Sequence, residues 1–547
     1  TTFTSDFGRG VHADGHDLWI DPRDGRHMVI GGDGGFYVTY DYGDNWDHIN
    51  TAAIGQFYHV TISAKKPYWV FGGLQDNGSW SGPAISKTGG AVNEDWLSIS
   101  GGDGFVCRVD PNDPDLVYYE SQNGRIGRRH LKTGERATIR PRRVEGVTYR
   151  FNWNTPFILS SHNSKIFYSA GNYVFRSFDR GNDLRAISPE ITLTKRGSAT
   201  ALSESPRNPD VLYVGTDDGA LWVTRDGGHE WKNITKNLGI PDPRWVATIE
   251  ASRFDEGRVF VCLDAHRSDD DKPYIFVSED YGDTFAPLHE DLPWGSTRCL
   301  REDLVNPNLL FLGTEFTLWV SLDRGQNWSQ FGQGLPTVAI HEVAMHPANG
   351  EIVVATHGRS LWACDITGLR SLKPEHIAKD IAFHEPHDVI RWRRDLRRGR
   401  TNRRYIGNNP SSGAQLWYSL PSKAERVAFR IENIDGQVIS ELTGNGEAGL
   451  HRVSWNLTGS VQRRPGGGAG SGRTRGGRPV SNGTYRVVMI VDGKELPSRT
   501  VTLVQDPTLP ADSIADELYE EMLLEDQRAA DLKRKAKSEG RSHYQDD

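Results

Sequence analysis

The chain has 547 residues, a formal net charge of −8, 59 glycines and 16 tryptophans, with a mean hydropathy of −0.57. That length calls for at least two domains, and the acidic balance gives nucleic acid or an anionic membrane no overall attraction. No run of about 18 apolar residues is present to form a membrane-spanning helix, so no membrane span is expected.

The chain opens at Thr1 with no apolar signal core, which leads us to expect a processed or truncated product. Cys107, Cys262, Cys299 and Cys364 stand singly, without C-x-x-C spacing. A zinc site is therefore not indicated, and one or two long-range disulfides stay open.

A repeat organises the first two thirds. Thr39-Tyr-Asp41-Tyr-Gly43-Asp-Asn-Trp46 returns as Thr224-Arg-Asp226-Gly-Gly228-His-Glu-Trp231, Ser278-Glu-Asp280-Tyr-Gly282-Asp-Thr-Phe285 and Ser321-Leu-Asp323-Arg-Gly325-Gln-Asn-Trp328, with a weaker copy at Ser177-Phe-Asp179-Arg-Gly181. This is S/T-x-D-x-G-x-x-W/F, the Asp-box. It makes sense as a hairpin turn, because the Asp accepts backbone N–H bonds, Gly supplies positive φ, and the aromatic ring wedges between sheets. From Asp179 the boxes lie 47, 54 and 43 residues apart, and Asp41 to Asp179 is 138, three periods of 46. A period of about 45 with four short β-runs is a propeller blade. We expect an all-β chain with an Asp-box β-propeller of seven or eight blades over residues 1–370.

In a four-stranded blade the box turn lies at the end opposite the turn joining the second and third strands, so function is sought at that opposite end. Its turns hold Asp33, Asp76, Asp217, Asp218, Glu315, His357 and Arg359, with His266 on a long insert and Asp103 on a blade-to-blade loop. Asp-Gly and Asn-Gly are good hairpin turns in their own right, so each Asp has a structural reading beside the functional one. Glu315 is harder to explain as a turn former. Asp33 and Glu315 occupy equivalent turns and are the candidate acid and base, with Asp76 and Asp217 as alternates. Asp103, Asp218, His266, His357 and Arg359 are candidate ligand-binding residues. Asp269, Asp270 and Asp271 read first as a solvated acidic loop and second as a Ca2+ site. No other cofactor is indicated, and no G-x-S-x-G, P-loop or H-E-x-x-H is present.

Residues 371–412 form a linker with a basic patch from Arg391 to Arg404, which could meet an anionic polymer or pack on the propeller through its Arg stems. Period-two alternation over residues 413–507 predicts a β-sandwich, interrupted by a Gly/Arg-rich loop from Arg463 to Arg478. Residues 508–547 are charged and helix-prone.

Gly-Gly-Asp33-Gly-Gly, Gly-Leu-Gln-Asp76-Asn-Gly, Thr-His357-Gly-Arg359, Asn408-Asn-Pro-Ser-Ser-Gly-Ala414 and Gly483-Thr-Tyr485 together resemble bacterial secreted Asp-box (BNR) repeat proteins of the sortilin-like and glycosyl-hydrolase kind. The resemblance covers nearly the whole chain. It implies a C-terminal Ig-like domain similar to that of the flagellar hook-capping protein, further blades ahead of this region, and a location that is extracellular, at the cell surface or periplasmic. The wider group includes xyloglucanases, sialidases and sortilin receptors, which share architecture but not activity. Two readings follow. One is a carbohydrate-binding or peptide-binding propeller, working with a partner chain or a missing N-terminal propeller. The other is a glycoside hydrolase acting on extracellular polysaccharide with an Asp/Glu acid–base pair.

Overall fold

The computed structural model describes residues 10–288, 290–332, 334–348, 350–372, 379–393, 395–396, 405–459 and 479–509. The loop from Arg463 to Arg478, most of the basic patch and nearly all of the tail after 508 lie outside the described residues.

The chain is all-β, as the alternation demands. Seven four-stranded antiparallel sheets follow one another over residues 15–49, 57–100, 107–139, 157–186, 199–233, 245–287 and 297–331, and an eighth of three strands covers 340–365. Each is consistent with a propeller-like blade. Second strands such as Leu212–Thr216 and Leu310–Thr314 are buried at every position, because both faces of those sheets are covered by neighbours. Packing runs from the second sheet to the eighth, and Ile340–Met345 and Glu351–Thr356 of the eighth lie against Phe57–Ile62 of the second. His357 also forms a β-bridge with Gln56. The first sheet therefore does not stand between the eighth and the second.

The repeat turns share one bonding pattern. Asp323 Oδ1 accepts the Asn327 N–H at 2.9 Å and the Ser321 hydroxyl at 2.8 Å, and Oδ2 accepts the Asn327 amide at 2.7 Å. Gly325 has φ +88°, the left-handed conformation the turn requires. Asp41, Asp226 and Asp280 accept equivalent backbone N–H groups.

A second recurrent device sits at the other end of the first strands. One residue is left unpaired between Gly15 and Asp17, Phe57 and His59, Ala199 and Ala201, Val246 and Thr248, Thr297 and Cys299, and Ile340 and Glu342. Such bulges re-aim the extra side chain. Here the extra residues include His16, Tyr58, Arg298 and His341.

Beyond the sheets, strands at 382–383, 414–420 and 449–455 face a second sheet that includes 427–432, 483–491 and 499–505. Trp455, Tyr418, Phe429 and Met489 are fully buried between them in one core. Two short strands of the segment read as a linker, Ala382–Phe383 and Val389–Arg391, pair into this sandwich. All four cysteines are free thiols, three of them buried, so the disulfides left open by the sequence are not formed.

Candidate functional site

Besides His16, the bulges deliver three side chains that the sequence did not single out. Tyr58 donates to Gln75 Oε1 at 3.0 Å and packs against Phe105 and His357, with ring centroids at 4.6 and 5.0 Å. His341 stacks on His357 at 4.3 Å. Burial, with Asp103 and Asp76 nearby, pushes the Tyr58 hydroxyl up to about 12. Burial also holds His357 below the usual imidazole range, and burial together with His357 and Arg298 holds His341 well below it. These rings are neutral at neutral pH, each able to donate and accept one hydrogen bond.

Arg298, the third bulge residue, donates to Glu315 Oε2 from Nε at 2.9 Å and from Nη2 at 2.5 Å, and its Nη1 bonds the buried Asp264. Glu315 thus sits in a charge-matched fork. Asp33 has different partners: its Oδ1 lies 2.6 Å from His16 Nε2, and its backbone carbonyl accepts from Asn77 at 2.9 Å. Asp103 accepts the Asp76 N–H at 2.6 Å and the Gln122 amide at 3.0 Å. Burial first, and then the charges of Asp103 and Asp33, raise the Asp76 carboxyl above its ordinary value. Asp33, Asp76 and Asp103 therefore form one electrostatic group, and Glu315, Arg298 and His357 another, with Tyr58 feeling the first and touching the second.

The remaining candidates disperse. Asp217 accepts from Ser198 and Asn152, and Asp218 from Thr194 and Thr216; both hold loops together. The exposed His266 lies 3.5 Å from Asp271. Asp270 bonds Tyr274 and Arg244, so the consecutive carboxylates point to separate partners, and among the described residues no group of three His, Cys, Asp or Glu side chains is placed to hold a metal. The Arg359 backbone carbonyl accepts from Trp362 at 3.0 Å, while the side chain is exposed.

Next to the bulges, the first strands carry a second polar group. Arg301 Nη2 donates to Glu342 Oε2 at 2.6 Å and Nη1 to Glu250 Oε2 at 3.3 Å, while His59 lies 3.3 Å from Glu342. Burial opposes the charge of Glu342, yet Arg301 and His59 hold it at about 2, whereas burial outweighs Arg301 at Glu250 and lifts it to about 7.

Aromatic rings stand on the loops around this end. Phe316, next to Glu315 in the chain, is 53% exposed; Trp294, 69% exposed, lies two residues before Ser296, whose carbonyl accepts the Glu315 N–H at 3.0 Å; and Trp153, whose carbonyl accepts the Asn123 N–H at 3.2 Å, is 51% exposed. Gly295 joins Trp294 to this edge through the Asp271 carbonyl at 2.7 Å.

No family model matches the chain. A probable oligoxyloglucan-reducing end-specific xyloglucanase of Neosartorya fischeri is 27% identical over 149 residues, 25% of this chain and 18% of that protein. The match thus spans under a fifth of that relative's length, a weak and partial homology. Among solved structures, the extracellular domain of a putative hybrid two-component system of B. thetaiotaomicron is similar at TM-score 0.44 and 12% identity, over 90% of this chain and 69% of that one. Among the described residues no helix is long and apolar enough to cross a membrane.

Proposed function

We propose that residues 57–365 close into a seven-bladed propeller and that the end bearing Tyr58, His341 and His357 binds an extracellular polysaccharide. The ring reading is supported by the eighth sheet packing on the second. The observation that carries the ligand reading is the exposed pair Trp294 and Phe316 beside the Arg298–Glu315 fork. Sugar rings lay their C–H faces on aromatic rings, while their hydroxyls exchange bonds with carboxylates and neutral imidazoles. Peptide is the other ligand class this surface suits. The Ig-like reading of the sandwich makes it the module that attaches the propeller to a longer or multi-chain assembly at the cell surface or in the periplasm. Calorimetric titration with xyloglucan oligosaccharides tests the ligand reading. Saturable binding is expected, weakened roughly tenfold in Trp294→Ala and in Phe316→Ala with unchanged melting temperature. Equal affinity in parent and both variants would overturn it.

A second reading is favoured by one observation, the raised Asp76 carboxyl beside two other carboxylates. Glycosidic cleavage needs one carboxyl kept protonated and one ionised. Asp76 would be the general acid, with Asp33 or Glu315 as its ionised partner. The xyloglucanase likeness agrees in substrate class. Release of reducing sugar from xyloglucan, lost in Asp76→Asn, is the expected result.

A further inference from the structure

The third sheet departs from the charge of the rest of the chain. Residues 125–143 hold seven arginines and one lysine against a single glutamate, eight cations less one anion or +7, in a chain of net −8. They form the two outer strands of that sheet, Arg125–His130 and the outermost Arg136–Ile139, and the segment that follows. Two of these cations are matched by carboxylates, Lys132 by Asp115 and Arg142 by Asp183, each at 2.6 Å. Arg125, Arg128 and Arg129 bond neutral acceptors: the Gln122 side chain, the Asn182 side chain, and the Ser98 and Ile99 carbonyls. Arg136, Arg140 and Arg143 are exposed and have no partner among the described residues.

Strand register sets these side chains in rows on one face. Arg129 stands directly opposite Arg136, and Gly127 stands between Thr138 on one side and Tyr119 on the other. The same register carried one step past Ile139 puts Arg140 opposite Arg125. Ile126 and Ile139 point to the other face, into the core shared with the fourth sheet. Between the two arginine rows Gly127 carries no side chain, and the Tyr119 ring fills that room: a Cβ there would come within 2.6 Å of its hydroxyl. That hydroxyl has no hydrogen-bond partner among the described residues. Like charges directly opposite one another destabilise a sheet, and arginine does not shed its proton to relieve them. Charge on an outer strand keeps sheet edges apart, but scattered lysines suffice for that; opposed arginines without acids do not follow from it.

We propose that this face of the third sheet binds an acidic polysaccharide, the Arg129–Arg136 and Arg125–Arg140 rows each taking a carboxylate and Tyr119 and Thr138 meeting the sugar hydroxyls between them. A guanidinium suits this task, since its planar fork matches a carboxylate with two parallel bonds, which an ammonium cannot. A carboxylate bridging two opposed arginines turns their repulsion into attraction. The rows are four residues apart along the strand, about 13 Å, which fits a polymer carrying charge at intervals and not a single small anion. Tyr58, His341 and His357 take no part, so the two ligand readings stand or fall separately.

Calorimetric titration of the 547-residue protein with polygalacturonate tests the proposal. Saturable binding is expected at about 50 mM salt, weakening severalfold by about 200 mM as the charges are screened. Arg136→Gln/Arg140→Gln is expected to weaken it at least about tenfold, with the melting temperature unchanged or raised because the opposed pairs are relieved. Lys236→Gln/Arg253→Gln makes the same charge change at exposed positions elsewhere and is expected to stay within about twofold of the parent. Arg136→Lys/Arg140→Lys keeps the charge, removes the forks and is expected to bind severalfold more weakly than the parent. The proposal is overturned by no binding at the lower salt, by equal loss in both glutamine variants, by full affinity in the lysine variant, or by tighter binding of duplex DNA or phosphatidylglycerol vesicles than of polygalacturonate. Affinity for xyloglucan oligosaccharides is expected to be the same in parent and variants; a parallel loss of both ligands in Arg136→Gln/Arg140→Gln would overturn the assignment of a separate surface.

Discussion

His341 lies flat against His357, with 4.3 Å between ring centroids and 7° between planes, and neither ring can take a proton cheaply. Burial is the main cause for both. In the unfolded chain each titrates near 6.5. A base whose folded pKa is depressed leaves more protons on the unfolded state below that value, so stability falls as pH falls through that window. We expect a lower melting temperature at about pH 5.5 than at about pH 7.5, and a shallower dependence in His341→Asn. Parallel curves for parent and variant would remove these imidazoles from the account.

Arg301 serves two carboxylates in opposite states. Glu342, 2% exposed, stays ionised, and Glu250 holds its proton up to about 7. Glu342→Gln should destabilise by about 3 kcal/mol, since it leaves the guanidinium without its main counter-charge. Glu250→Gln copies the protonated form and should be nearly neutral at pH 6. A carboxyl raised in the folded state binds more protons there than in the unfolded chain, so the parent loses stability from about 4.5 up to about 7. Urea denaturation at pH 5 and pH 8 should show that fall in the parent and not in Glu250→Gln.

The repeat turns are expected to act on stability alone. Burial opposes the charge of Asp323, but the Asn327 amide and backbone N–H outweigh it and hold the carboxyl below its ordinary value. Asp323→Ala strands those donors and should cost about 1–3 kcal/mol. Its contribution is present above the unfolded value near 3.9 and is lost as pH falls through the lower folded one. Because this turn lies at the end away from Tyr58 and His357, oligosaccharide affinity measured by calorimetry should not change.

What the sequence made legible was the local chemistry. A turn compresses its hydroxyl, carboxylate, glycine and aromatic ring into eight consecutive residues, so the repeats and their period could be read directly. The carboxylates of the opposite end were also visible as residue types. Their partners were not, because Arg298 reaches Glu315 only through a bulge, and a bulge depends on how strands register rather than on any residue pattern. Tyr58 and His341 were hidden for the same reason, each being one polar residue inside an otherwise alternating strand. Asp33 and Glu315 could be matched as equivalent turns, yet their separation depends on which sheets pack together, and the eighth sheet packs on the second rather than the first.

The last prediction separates binding from catalysis at the carboxylates. Asp76 is held protonated more readily than an ordinary Asp by its burial and by Asp103 and Asp33, and general acid–base catalysis contributes roughly 10²–10⁴-fold. If the chain hydrolyses xyloglucan, Asp76→Asn should lower kcat by about that factor with KM little changed, because the amide keeps the shape but has no proton to give. Asp33→Asn should remove one of the charges that raise Asp76, shifting the alkaline limb of the pH–rate profile to lower pH. Glu315→Gln breaks the fork with Arg298 and should weaken binding as well as turnover. All three side chains are partly exposed, so melting temperatures should move little. Full activity in Asp76→Asn on a verified substrate would exclude it as the acid, and calorimetric binding without product release in the parent would leave the propeller a binder.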